Sequence, residues 1–245
     1  MFVGLGSVIN ALTIFLGSLI GIFFGSRLKE KARDLVMACL GLITACAAAD
    51  MAKSIWSPEY QRALPKGWPI ITILVALILG SLLGSALGIE ERLERIGDKF
   101  RSILGAKENS RFIEGFVLAT LIFVVGPMAI LGGISDGMGT GIQTLVLKSI
   151  LDGIASIAFA ATLGWGVAVS AFPTALYQLL WTAIGWSLGN ILQNYQVAAI
   201  TATGGLLIFC IALKLLKIRE LPIGNMLPAL FLAPIFVEIV HVFSN

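Results

Sequence analysis

Long apolar segments follow one another along the chain, separated by short polar stretches. Eight of them are long enough to cross a hydrocarbon layer of roughly 30 Å as helices that rise about 1.5 Å per residue. They lie at 3–25, 35–53, 69–89, 112–132, 140–163, 170–190, 196–216 and 222–243. The pattern predicts an all-α integral membrane protein of about eight transmembrane helices. Because the fifth and sixth segments stand close together, seven spans are the alternative if one of them is re-entrant.

One polar stretch has a helical pattern of its own. In residues 90–104, Leu93, Ile96, Phe100 and Ile103 recur at helical spacing between charged residues. This pattern predicts an amphipathic helix that lies on the cytoplasmic surface of the membrane. It serves either as a linker or as an element for partner docking or gating.

The composition agrees with a membrane protein. Hydrophobic residues make up 58% of the 245 positions and charged residues only 13%, which is about half the charged share of soluble domains. The net charge of +3 does not indicate nucleic-acid binding, because the basic residues sit in loops beside apolar spans. Cys39, Cys46 and Cys210 lie inside apolar segments without metal-type spacing, so we interpret them as core residues and expect no metal or cofactor.

Basic residues are unevenly divided between the two sets of loops. Thirteen of them flank the ends of the first, third and seventh spans, whereas the opposite loops hold only Lys53, Arg62 and Lys66. Positively charged loops face the cytoplasm. We therefore expect a multi-pass protein of a prokaryotic cytoplasmic membrane with both termini outside. An odd number of spans would break this parity, which favours eight.

The first three spans resemble the last three. A shift of 164 positions superimposes the first pair of spans on the sixth and seventh, and a similar match joins the third to the eighth. The coincidences include Gly21 with Gly185, Gly41 with Gly205, Cys46 with Cys210 and Pro69 with Pro222. Because the copies are five spans apart, they would cross the membrane in opposite directions, as inverted repeats do in many secondary transporters.

This repeat predicts a domain organisation in four parts. Residues 1–89 form repeat A, 90–111 the cytoplasmic helix and linker, 112–163 a central pair of spans, and 164–245 repeat B. The central pair holds the chemistry that is unusual for a membrane.

The fifth span carries two charges near its middle. Lys148 and Asp152 are four residues apart, which places them on one helix face, and Thr144 and Ser156 extend that face. A lone charge at bilayer depth costs about 2.5–3.5 kcal/mol on insertion scales, so such residues indicate a functional site by default. Asp152 would be a protonatable carboxylate with Lys148 as its counter-ion. The alternative is a structural ion pair that locks helix packing.

The end of the fourth span supplies further candidates. Pro127 removes a backbone donor and disturbs the preceding turn, so a helix broken there would offer carbonyl oxygens to a cation; the alternative is an ordinary proline kink. Asp136 follows at the outer mouth, either as an ion entry point or as a turn residue. Asn10, Gln178 and Asn225 are weaker candidates for a solute path, since polar residues in spans also serve as hydrogen bonds between helices.

Two glycine series are spaced by four residues and create narrow helix faces. They are Gly17, Gly21 and Gly25 in the first span and Gly80, Gly84 and Gly88 in the third. Such faces allow close helix approach, either within the chain or between copies in a homo-oligomer.

Several of these motifs together resemble a known family. They are the segments 126–132, 136–137, 147–153, 177–178 and 225–230. The chain resembles the prokaryotic membrane proteins grouped as domain of unknown function 554, over nearly its whole length. Ser135 and Leu179 depart from that pattern, where glutamine and glycine are expected. The resemblance implies an integral membrane protein, since members of this family are labelled as membrane proteins or transporters. It implies no substrate.

These observations lead to three hypotheses for function. The first is a secondary transporter or permease for a small polar solute or cation, with proton coupling as one form of it. The second is a passive ion channel built on the same spans. The third is a membrane scaffold protein that does not transport, whose buried ion pair is structural. We expect no enzyme and no catalytic residue, because the sequence has no nucleophile–base or zinc motif.

Overall fold

In a computed structural model of the chain, the described residues are 2–25, 29–103, 111–125, 127–139, 141–188 and 192–244. Every regular element in these ranges is a helix. The α-helices are α1 (Leu5–Gly25), α2 (Glu30–Ala52), α3 (Pro58–Ala63), α4 (Trp68–Leu87), α5 (Ile89–Ile103), α6 (Phe112–Val124), α7 (Pro127–Gly137), α8 (Gln143–Leu163), α9 (Trp165–Val169), α10 (Ala171–Leu188), α11 (Asn194–Leu215) and α12 (Ala229–Ser244). Short 3-10 helices lie at Lys53–Trp56 and Ile223–Met226.

Within the described ranges, seven helices are long and apolar enough to cross a membrane, and the number is eight if one bent pair counts as a single span. That pair is Phe112–Val124 with Met128–Gly137, whose axes are bent by 62°. The prediction of an all-helical membrane protein is confirmed. The fourth segment is not the straight span that its hydropathy indicates, since it is divided at Pro127; Gly126, which belongs to the same motif, lies outside the described residues.

Some predicted boundaries and one interpretation differ from the structure. The helix that carries the second span begins before the apolar segment, at Glu30 within the basic stretch, whereas the apolar span itself begins at Asp34. The last span, Ile223–Ser244, agrees with the predicted 222–243, but its regular α-helix begins only after Pro228. Cys39 and Cys46 are exposed on the surface of α2, so their interpretation as core residues is wrong.

The amphipathic segment forms α5, and its apolar side is only partly covered. Phe100 makes ring contacts with Phe116 and Phe172 at centroid distances of 6.1 and 5.9 Å. Gly97 packs against the Phe116 ring. Ile103 is 77% exposed, so the end of the helix leaves its apolar side chain uncovered.

The contacts divide the chain into two compact units. Unit 1 consists of Met1–Leu40, Leu93–Val124 and Met128–Ile191, and unit 2 of Gly41–Arg92, Val125–Pro127 and Leu192–Asn245. Each unit therefore contains segments from both the first and the last third of the chain.

Unit 1 is built on close packing between α1 and α8. A Cβ atom at Gly17, Gly21 or Gly25 would collide with the carbonyl oxygens of Gly153, Ile157 and Ala161, in that order. Both series rise by four residues, so α1 and α8 run in the same direction and touch along one line. The glycines bring the two backbones together, as small residues do in membrane helix pairs.

Further contacts give the directions of α6, α7 and α10 in unit 1. Gly115 on α6 packs against Leu163 at the end of α8, and the Phe123 ring lies 5.9 Å from the Lys148 Nζ. These contacts make α6 antiparallel to α8. On α7, Gly133 approaches the Gln178 carbonyl and Gly137 that of Thr182, so α7 and α10 are parallel.

Unit 2 packs antiparallel helices. Gly80 and Gly84 on α4 approach the backbone of Ala229 and Asn225, and α2 meets α11 with Gly205 against Ala48 and Gly41 against Leu216. Its core contains small residues such as Ala76, Ala199 and Ala202. Gly88, which completes the predicted series, instead ends α4 in the left-handed conformation with φ of 60°.

The glycine line of α1 can be tested with matched substitutions. Gly21→Ala should lower the stability of unit 1 by about 1–3 kcal/mol, because the new methyl group has no room at the Ile157 carbonyl. Thermal unfolding in detergent micelles, followed by tryptophan fluorescence, measures the loss as a lower Tm.

Gly153→Ala is the control on the partner helix. A Cβ there meets nothing closer than 3.4 Å, so its gain in helix propensity of about 1 kcal/mol should keep or raise the Tm. Equal effects of the two substitutions would contradict the packing described here.

Candidate functional site

A buried polar stripe runs along α8. Lys148, Asp152 and Ser156 are 6%, 8% and 0% exposed. The Ser156 hydroxyl donates to the Asp152 carbonyl at 2.6 Å. Thr144 is half-buried, and its methyl group lies beside Gly132 of α7. The four-residue step seen in the sequence thus buries three of the four residues within unit 1.

Asp152 is the centre of this stripe. Its Oδ2 accepts a hydrogen bond from the Lys148 Nζ at 2.5 Å and another from the Asn10 Nδ2 at 3.0 Å. Lys148 and Asp152 are one turn apart on α8, whereas Asn10 comes from α1. The line of glycines that brings α1 against α8 also brings this amide within reach of the carboxylate.

The surroundings explain how two charges are tolerated here. Each charge has the other as partner, and the exposed fractions of both residues are below a tenth. The Phe123 ring stands 5.9 Å from the ammonium, within the range of a cation–π interaction. Removing one member would leave an uncompensated charge, which costs far more than the pair itself.

Asp136 has a partner that the sequence did not suggest. Its two carboxylate oxygens accept hydrogen bonds from the backbone N–H groups of Gly4 and Gly6, at 3.2 and 3.0 Å. The first N–H groups of a helix have no partner inside the helix, and a negative charge there is favourable. Asp136 at the end of α7 therefore caps α1 and holds the helix that carries Asn10.

Gln178 is buried without a partner for its amide. The side chain is 0% exposed, and neither its Oε1 nor its Nε2 has a hydrogen-bond partner among the described residues. The Asn10 Oδ1 is likewise buried and has no hydrogen-bond partner in the described part of the chain. Such groups usually find a partner in protein or water, so each open group requires an explanation.

A contact between α1 and α10 lies close to both amides in the chain. The hydroxyls of Ser7 on α1 and Thr182 on α10 are 3.4 Å apart. Asn10 lies three residues after Ser7 and Gln178 four residues before Thr182, so each amide is about one turn from this contact along its own helix.

Thr120 is a member of this group that sequence reasoning missed. Its hydroxyl is buried and has no hydrogen-bond partner among the described residues. Thr120 lies three residues before Phe123 on α6, the helix that faces Lys148. A lone threonine in an apolar span gave no signal, since its hydroxyl usually bonds within its own helix. Ser7 and Thr182 were missed for the same reason.

Two other predicted residues belong to unit 2. The Asn225 Oδ1 accepts from the Glu90 backbone N–H at 2.9 Å, and the Glu90 Oε2 accepts from the Gly224 N–H at 2.5 Å. This exchange caps the start of α5, which gives Asn225 a structural role. Pro127 is the first residue of α7, a position where its missing N–H is harmless.

Unit 1 thus offers a neutralised ion pair flanked by open amide and hydroxyl groups. The arrangement can donate hydrogen bonds to a polar molecule and accept hydrogen bonds from it. Among the described residues, no group of three or more His, Cys, Asp or Glu side chains could hold a metal ion.

These features define a multi-pass α-helical membrane protein with a polar centre among its spans. The chain belongs to the family described as "Protein of unknown function (DUF554)", whose model matches residues 5–238. The resemblance seen in the motifs is thereby confirmed.

Two bacterial relatives are similar over almost the whole chain. "Uncharacterized membrane protein YdfK" of Bacillus subtilis is 28% identical over 239 residues, which cover 98% of each chain. "Uncharacterized protein YqgA" of Escherichia coli is 28% identical over 236 residues, or 94% of each. No solved structure matches the chain significantly.

The ion pair makes a prediction for stability. Lys148→Met should lower the free energy of unfolding by about 3–5 kcal/mol, because it leaves the Asp152 charge buried alone. The double variant Lys148→Met with Asp152→Leu should recover most of that loss. Thermal unfolding of both single variants and the double variant measures the coupling, and losses that simply add would show that the two charges do not interact.

The cap on α1 makes a second prediction. Asp136→Asn should cost about 1–2 kcal/mol, because the amide keeps a single acceptor oxygen for two N–H groups and loses the charge. Asp50→Asn is the control: Asp50 pairs with Lys53 at 3.2 Å on the surface, where both side chains are more than 70% exposed, and such pairs contribute little. Equal shifts of Tm in the two variants would argue against the cap.

Proposed function

We propose that the protein is a secondary transporter or permease for a small polar solute or cation, with its binding site at the polar centre of unit 1. Asp152 and Lys148 form the switch, and Asn10 and Gln178 line the path. Coupling to protons would act through Asp152, whose charge Lys148 balances. The protein would work in a prokaryotic cytoplasmic membrane with its basic loops inside.

One observation carries this proposal. An ion pair buried in a membrane helix is bonded to the Asn10 amide. The Asn10 Oδ1 has no partner in the described part of the chain, and neither does either amide atom of the buried Gln178. A purely structural pair would favour a neighbourhood in which every polar group is satisfied. Open polar groups beside a charge pair are what a site for a polar solute requires.

Helix directions support eight crossings. If α6 and α7 together returned to the side they came from, α8 would run against α1. The glycine contacts instead make α1 and α8 parallel. Unit 2 gives the same result independently, because α4 and α12 are antiparallel, as the third and eighth spans of an eight-span chain must be. We therefore propose that the pair α6–α7 is one broken span of an eight-span chain.

The grouping of helices also supports an inverted repeat. Helices α2 and α11 begin at Glu30 and Asn194, which are 164 positions apart, as in the sequence match. Unit 1 contains α1 and α10, and unit 2 contains α4 with α12 and most of α2 with α11. Each of these helices thus lies wholly or mostly in the same unit as its proposed counterpart.

Flux through reconstituted protein tests the proposal. Proteoliposomes should take up at least one member of a panel of potassium, sodium, ammonium, urea, glycerol and glycine faster than empty liposomes, with a rate that saturates. Asp152→Asn and Lys148→Ala should each reduce that rate by about tenfold or more, which corresponds to about 1.4 kcal/mol. Lys53→Ala, at an exposed surface pair, should leave it unchanged.

Other outcomes would decide against the proposal. Unitary currents in a planar bilayer would identify a channel instead. Full flux in both charge variants would remove the pair from the mechanism. Absence of flux for the whole panel, with folded protein in the liposomes, would favour the scaffold hypothesis.

A further inference from the structure

The ion pair at the polar centre of unit 1 carries no net charge, because the carboxylate of Asp152 and the ammonium of Lys148 are in contact. Asp136 is a second buried carboxylate of unit 1, and its two oxygens are already engaged by the N–H groups of Gly4 and Gly6 at the start of α1.

The amides of Asn10 and Gln178 and the hydroxyl of Thr120 are neutral. A bare cation entering this site would meet a carboxylate that is already paired and an ammonium that repels it. Desolvating the cation would then lack the anionic compensation that such sites require.

The open atoms are of both hydrogen-bonding kinds. The Oδ1 of Asn10 and the Oε1 of Gln178 can only accept, the Nε2 of Gln178 can only donate, and the Thr120 hydroxyl can do either. None of these atoms has a partner among the described residues. The three side chains are 0%, 0% and 5% exposed. Asn10 and Thr120 come from α1 and α6, which pack against α8, and Gln178 comes from α10, which packs against α1 and α6.

We infer that this centre binds a small uncharged molecule with both donors and acceptors, of the amide or polyol class. The inference rests on the proposed function and narrows its substrate from polar solutes in general. The molecule would accept from Gln178 and donate to the carbonyl oxygens of Asn10 and Gln178, while the ion pair stays intact. A site built to hydrogen-bond a solute in this way also rejects apolar analogues.

Substitution of a buried polar group that has no partner tests this inference through two measurements, the Tm and the rate of solute entry. If a group is kept open for a solute, an apolar replacement of similar shape removes its desolvation cost in the empty protein and also removes a contact to the solute. Gln178→Leu and Thr120→Val should therefore raise the Tm and lower the rate of solute entry. A merely structural role would lower both or change neither.

Thr203 offers a matched control in unit 2. Its hydroxyl is also buried and open, with the side chain 0% exposed, but it lies on α11 and not on the helices of the polar centre. Thr203→Val should raise the Tm as Thr120→Val does and leave solute entry unchanged.

The experiment compares two kinds of solute in the same proteoliposomes. Stopped-flow light scattering measures swelling in urea, acetamide or glycerol, and a potassium-selective electrode measures release of trapped potassium with the membrane potential clamped. We expect protein-dependent entry of at least one neutral solute and no release of potassium. Gln178→Leu should slow that entry by about tenfold, the loss of about one good hydrogen bond, with a higher Tm.

Three results would contradict these proposals, and they distinguish the inference about the solute from the proposed transport function. Protein-dependent potassium release without entry of neutral solutes would overturn this inference and leave transport standing. Entry unchanged in both Gln178→Leu and Thr120→Val would overturn the site. No flux of either kind would overturn the proposed function itself.

Discussion

A charged pair in a membrane helix depends on the protein around it. Lys148 and Asp152 balance each other's charge. Their contact alone leaves further donor and acceptor positions without a partner, because the hydrocarbon layer of the membrane has no hydrogen-bonding groups. The amide of Asn10 supplies part of what is missing, through its bond to the same carboxylate oxygen. Other contacts in unit 1 hold α1 at the position that brings this amide to Asp152.

Three features cooperate to do so. The glycines of α1 let its backbone touch the carbonyl oxygens of α8. The Asp136 carboxylate accepts hydrogen bonds at the beginning of α1, and the Ser7 hydroxyl lies 3.4 Å from that of Thr182 on α10. Each feature is locally modest in energy. Together they set the position of α1 relative to α8 along its length, and with it the position of Asn10. The amides of Asn10 and Gln178 are then left with open atoms, which a fully structural core would have satisfied.

The sequence predicted the helical membrane fold because hydropathy alone specifies it, and it predicted the ion pair because charges stand out in an apolar segment. It also identified the glycine faces, which have a fixed period. It did not predict the partners. Asn10 and Asp152 are 142 residues apart, and nothing local indicates that Asp136 caps the first helix. Thr120 gave no signal, since only its surroundings make its hydroxyl unusual, and nothing in the sequence indicated that the Asn225 amide accepts a hydrogen bond from Glu90.

The central claim is that ammonium and carboxylate are in contact inside the bilayer, with the Asn10 amide beside them. Solid-state NMR on protein in lipid bilayers, with ¹⁵N in lysine and asparagine side chains and ¹³C in aspartate carboxylates, measures this directly. The structure predicts dipolar coupling from the Asp152 carboxylate carbon to both the Lys148 Nζ and the Asn10 Nδ2, and Asp152→Asn assigns it. Absence of both couplings in folded protein would mean that the charges face lipid or water instead, and the polar centre described here would not exist.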